Sequence, residues 1–183
     1  HFKKIAGYQK NIDDKPITED EYLSMKIYGK YTTMNMQRIN EWFAEHKDAI
    51  LVSDKINSPK KFVGEAGFRF KNRLIMELFS WDAIKEALEI GVTPMISENV
   101  FFSEPDSIME KKIVDMNIKY IGISRTRIEE NKEYLLRLKE KGVKVYVFHV
   151  NFNKSKDERY VWSYEIPYVY GMYADKLDLL LEK

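Results

Sequence analysis

The residues of this chain best placed to do chemistry are polar side chains that close short apolar runs. Asp54 and Lys55 follow AILVS, and Ser97, Glu98 and Asn99 follow TPMI. Ser124 and Arg125 close IKYIGIS, Asn151 follows VKVYVFHV, and Asp175 follows YVYGMYA. If the runs are parallel strands, these positions gather at their carboxyl ends, where α/β proteins bind and transform ligands. Each alone is also an ordinary loop cap or solvated turn. Glu77 differs, because it lies inside RLIMELF with apolar neighbours on both sides. A carboxylate in a dry strand costs several kcal/mol unless it faces a cation, a metal or a polar cavity. The plain alternative is an ion pair with Lys55 or Arg73.

The three histidines carry less. His149 in VYVFHVN has the alternation parity of Val145 and Val147, which points it to one face of a buried strand as a hydrogen-bonded core residue. His46 closes a helix, where its charge suits the carboxyl-terminal dipole, and His1 has no context. A three-histidine metal site would need all of them. Cysteine is absent, which excludes thiolate nucleophiles, disulfides and cysteine-ligated zinc or iron–sulfur sites. No Walker loop, G-x-G-x-x-G, G-x-S-x-G or H-E-x-x-H occurs. With 30 basic and 29 acidic residues the formal charge is +1, so no global field attracts polyanions, and a nucleic-acid partner is not expected. The Tyr-rich stretch YVWSYEIPYVYGMY reads as packing at strand spacing.

The elements that must position these residues follow from periodicity. The chain's 183 residues, 44% apolar and 14% aromatic, suit one α/β domain, residues 1–183. Residues 1–47 read as a polar loop and helices that precede the strands. A helix opens at Thr18, where T-E-D-E has the form of a capping box, and runs on through Tyr22, Leu23, Met25 and Ile27. A second spans about Thr33 to His46. From 48 to 183 six apolar runs start about 20 to 25 residues apart, one βα unit each, with strands expected near 50–53, 74–79, 94–97, 119–123, 144–150 and 168–173. Gly91 and Gly142 fall where a left-handed residue ends a helix. Ser58, Ser80 and Ser103 precede helix starts. Strands apolar on both faces and separated by helices make a covered parallel sheet. An open doubly wound sheet and a (β/α)8 barrel fit this pattern equally well.

VKVYVFHVN followed by YVYGMYAD resembles the close of glycerophosphodiester phosphodiesterase barrels, whose last strands commonly read V-x-V-W-T-V-N and G-V-D-G-I-I-T-D. Val145, Val147, Val150, Asn151, Gly171 and Asp175 fall on that pattern. YTTMNMQRINEWFAEHKDAILVSDKI is similar to the family's helix and strand ending in E-I-K, with Asp54 at the carboxylate, and Glu77 matches a polar residue that often interrupts the next strand. The resemblance covers about residues 31–175. It implies a (β/α)8 TIM-type barrel lacking its first two strands in this chain, and an enzyme that hydrolyses a glycerophosphodiester-like phosphodiester. Implied with it are a divalent cation, calcium or magnesium, held in part by Asp54, and Lys55 as a phosphate contact. Glu77 would support the metal or touch substrate, and Asn151 would orient substrate at the mouth. The family's H-R, E-x-D and H-D signature does not occur where it should, and Ile56 stands at the family's lysine. The catalytic histidines would then precede residue 1, and the 183 residues alone would be inactive.

The second class of function is a noncatalytic barrel-derived binding or interaction domain. Two open sheet edges would invite association with a second copy, or cover by a missing amino-terminal segment. No run approaches the ~20 apolar residues of a membrane span, and HFKKIAGYQK has no signal-peptide core. A soluble chain is expected, with the cytoplasm as the default compartment.

Overall fold

The computed structural model describes residues 16–151 and 156–174, and the chain forms two compact units, His1–Ala49 with Ala66–Phe70, and Ile50–Glu65 with Lys71–Lys183. In the first unit, helix α1 (Glu19–Ser24) starts with the expected capping box: Thr18 Oγ1 accepts the Glu21 N–H, and the Glu21 carboxylate accepts the Thr18 N–H. The helix stops well short of Ile27. Lys26–Ile27 (β1) instead pairs antiparallel with Tyr31–Thr32 (β2). Tyr28 and Gly29 turn the chain with φ of 53° and 69°, and two successive left-handed residues cannot continue a right-handed helix. Helix α2 (Met36–Glu45) is capped by Asn35 rather than entered at Thr33, whose hydroxyl donates to the Tyr22 carbonyl. Its buried Asn40 donates to the Gly67 carbonyl and accepts the Arg69 N–H, fixing the 66–70 loop, while Phe43 packs edge-on to Phe68.

The second unit is a curled parallel sheet of six strands, Leu51–Ser53 (β3), Leu74–Leu78 (β4), Thr93–Ile96 (β5), Tyr120–Ser124 (β6), Lys144–Phe148 (β7) and Gly171–Met172 (β8). All six fall where the apolar runs placed them, and every pairing is parallel. Strand order in the sheet is the order in the sequence, β3 through β8. This order is not that of a doubly wound sheet, which reverses at a switch point, and it is consistent with part of a TIM-type barrel. Curling is visible in one contact: the Tyr173 hydroxyl lies 3.7 Å from Met95 Sδ. In a flat sheet β5 and β8 would stand about 14 Å apart. The arrangement is a half-barrel.

Helices α3 (Trp81–Glu89), α4 (Glu98–Phe101), α5 (Asp106–Asp115) and α6 (Ile128–Glu140) connect β4 through β7. Ser80 caps α3 by accepting the Ala83 N–H. Ser103 does not cap α5; its hydroxyl donates to the Val100 carbonyl, and Pro105 takes the cap position. Helices α3, α5 and α6 end alike, in left-handed Gly91, Asn117 and Gly142. In each the next N–H reaches back into the last turn, as Val92 does to Ala87, Ile118 to Ile113 and Val143 to Leu138. The core lies between these helices and the outer face of the sheet, where Met76, Leu78, Ile96, Ile121, Ile123 and Val147 are fully buried. Along β7, buried Val145 and Val147 alternate with half-buried Lys144, Tyr146 and Phe148, so the concave face is the more accessible one.

Candidate functional site

Glu77 stands on the concave face. A Cβ added to Gly122 of β6 would meet Met95 Sδ at 3.3 Å and the Glu77 carboxyl carbon at 3.6 Å. A side chain at 122 would press on Met95 and come into van der Waals contact with the Glu77 carboxyl, so the two share the concave face. Glu77 is 8% exposed, and burial raises its pKa above the usual carboxylate value; Asp54 raises it further, Lys55 lowers it, and Glu98 raises it. Lys55, one expected partner of Glu77, instead lies 3.1 Å from Asp54. It takes a left-handed φ of 68° and points its Nζ over the Phe79 ring.

Tyr173 joins this group from the other end of the sheet. Its hydroxyl is pushed up to about 12 by burial first, then by the charges of Glu77 and Asp54. Asp54, Glu77 and Tyr173 thus share one field at the carboxyl ends of β3, β4 and β8. Toward the amino ends, the concave face is aromatic: Tyr120, Tyr146 and Tyr170 lie in series, and Lys144 Nζ sits 4.4 Å from the Tyr170 ring centre.

The raised pKa of Glu77 sets a pH dependence. Its neutral form is favoured by the fold, so its contribution to stability is complete below the ordinary value of 4.5 and is lost as pH rises through the folded value. Glu77→Gln, which cannot ionise, is expected to melt higher than the parent protein at neutral pH, with the gain disappearing near pH 4. Thermal melts of both proteins across that range check it; a Gln variant that is less stable at pH 7 contradicts it.

Other polar strand-end residues go elsewhere. Asn151 donates to the buried carboxylate of Glu158, the first residue of the short helix α7 (Glu158–Tyr160), and so ties that helix to the end of β7. Arg125 is 3% exposed and pairs with buried Glu165 at 2.9 Å. Ser97 is buried at the start of α4, and its Oγ has no hydrogen-bond partner among the described residues. Asn99 is exposed on that helix. His46 stacks on Trp42 with Nδ1 2.8 Å from the Trp42 carbonyl. His1 and Asp175 lie outside the described residues.

His149 departs from the expected buried face. Strand β7 ends at Phe148, and His149 takes a left-handed φ of 56° that breaks the alternation and turns its ring to solvent. It lines a crevice of about 450 Å³ with Glu98, Ser124, Thr126, Arg127 and Glu130. Ser124 is the hub: its Oγ lies 2.8 Å from Thr126 Oγ1 and 3.3 Å from His149 Nδ1, and its N–H donates to Glu98. Glu98 also faces Arg127 Nε at 3.6 Å.

Asp54 pairs with Lys55, Glu98 accepts from Ser124 and faces Arg127, and among the described residues no three His, Asp or Glu side chains form a group that could hold a metal ion. Among the described residues no helix is long and apolar enough to cross a membrane.

No protein-family model matches the sequence, and no curated protein matches it. Among solved structures the chain is similar to a glycerophosphodiester phosphodiesterase from Parabacteroides distasonis ATCC 8503, with a TM-score of 0.60 and 12% identity. The match covers 87% of this chain and 67% of that one, and at this identity the likeness is one of fold.

Proposed function

We propose that the half-barrel is part of a phosphodiesterase-type barrel that acts on a small glycerophosphodiester-like ester at the carboxyl ends of β3 and β4. The observation that carries this reading is the buried Glu77 carboxyl on the concave face, with the Asp54 charge near enough to raise its pKa beyond what burial does. In its protonated form the Glu77 carboxyl can donate a hydrogen bond to a phosphoryl or leaving oxygen, and Lys55 at the rim supplies a point charge for phosphate. Strand order and the fold of the structural neighbour agree with it.

A second reading is noncatalytic binding by the same face. It is favoured by one observation, the Asp54–Lys55 pair, which neutralises both groups in the absence of ligand. Turnover of glycerophosphodiesters by the protein at its natural length separates the two. Asp54→Asn and Glu77→Gln are each expected to lower kcat/KM by about a hundredfold or more, the range of a lost acid–base or electrostatic group. Equal turnover in all three proteins would remove both residues from the reaction, and binding without any turnover would establish the second reading. Calorimetry with calcium or magnesium on the same proteins tests the cation separately.

A further inference from the structure

We infer that the crevice at the ends of β5, β6 and β7 binds a vicinal diol, as carried by an open-chain polyol or a pyranoside. The crevice sets one guanidinium, Arg127, against two carboxylates, Glu98 and Glu130, among the Ser124 and Thr126 hydroxyls and the His149 ring. A phosphate entering it would face both carboxylates, and an ammonium would face Arg127. A neutral polyhydroxyl compound meets neither penalty, because each hydroxyl both donates and accepts.

Geometry points the same way. Glu98 is held in place by the Ser124 N–H on one side and by Arg127 Nε at 3.6 Å on the other. Arg127 lies 5.5 Å from the Phe102 ring centre, a cation–π contact that keeps its planar head from wandering. The result is a carboxylate acceptor beside a guanidinium donor. Adjacent hydroxyls on neighbouring carbons match such a pair, one donating to Glu98 while the other accepts from Arg127. The remaining lining adds groups that can either donate or accept, and the Ser124–Thr126 contact shows two hydroxyls already bridged at 2.8 Å. The volume, about 450 Å³, suits a ligand of sugar size.

The inference does not rest on the phosphodiester reading, which uses Asp54 and Glu77 on other strands. It is tested by nitrogen–proton correlation NMR on the whole chain, titrated in turn with glycerol, methyl α-mannopyranoside, 1,3-propanediol and inorganic phosphate. The expected result is saturable shifts at the amides of residues 98–100 and 124–130 with glycerol or the pyranoside, whichever of the two carries the diol in the better geometry. 1,3-Propanediol, which lacks neighbouring hydroxyls, should bind about tenfold more weakly, the worth of one charge-assisted hydrogen bond. Arg127→Met, at a half-exposed position, should weaken the diol about tenfold with an unchanged circular dichroism spectrum, and Glu98→Gln should weaken it as well. Glu77→Gln should leave diol binding as it was, so that loss of hydrolysis and loss of diol binding are told apart. Saturation by phosphate in preference to either diol, saturation by no probe, or an Arg127→Met variant that binds as the parent does would each overturn the inference.

Discussion

Arg125→Met is expected to cost about 3–5 kcal/mol of folding stability, the range for removing one partner of a buried ion pair. Arg125 closes β6, and its guanidinium reaches Glu165 at 2.9 Å in the helical turn Val161–Glu165. Without it the Glu165 carboxylate stays buried with no counter-charge. The pair is itself imperfect, since Arg125 Nε and Glu165 Oε2 find no hydrogen-bond partner among the described residues. A double variant, Arg125→Met with Glu165→Met, is therefore expected to recover most of the loss, because it removes two desolvated charges together. Urea unfolding of the parent, both single variants and the double variant measures this. A single-variant loss under about 1 kcal/mol would show that the pair is solvated and has no such role.

Phe101→Ala should cost about 3–5 kcal/mol, the usual range for a large aromatic cut back in a core. Phe101 is 1% exposed, stacks on Tyr134 of α6 with ring centres 5.3 Å apart, and touches Phe102 edge-on. It is the last residue of the four-residue helix that carries Glu98. So short a helix has little stability of its own and depends on packing. Beyond the loss in unfolding free energy, the amides near Glu98 should lose hydrogen-exchange protection more than those of β7. Uniform loss across the sheet would contradict the anchoring role.

The strands were legible because each is a short β-branched or aromatic run bounded by turn residues, and that signal survives whatever the tertiary partners are. Gly91 and Gly142 were legible as helix ends for the same reason, whereas Asn117, in the same geometry, carries no glycine to mark it. The β1–β2 hairpin was hidden by Tyr22, Leu23, Met25 and Ile27, whose spacing continues a helical stripe past the point where Tyr28 and Gly29 turn the chain. For the site, Glu77 stood out as a charge inside an apolar run, and its raised pKa follows from that burial. Tyr173, Met95 and Gly122 did not stand out. They meet Glu77 only because the sheet curls, and curl is a property of six strands together. His149 was misplaced for a local reason: alternation holds only while the strand lasts, and β7 ends one residue earlier.

If the concave face at Asp54 and Glu77 takes a phosphodiester, a non-hydrolysable glycerophosphonate diester binds there. Amide shifts on titration should be saturable and centred on residues 53–56 and 77–80, and Glu77→Gln should reduce the affinity. Shifts that never saturate, or that saturate only at residues remote from β3 and β4, would show that this face takes no phosphodiester.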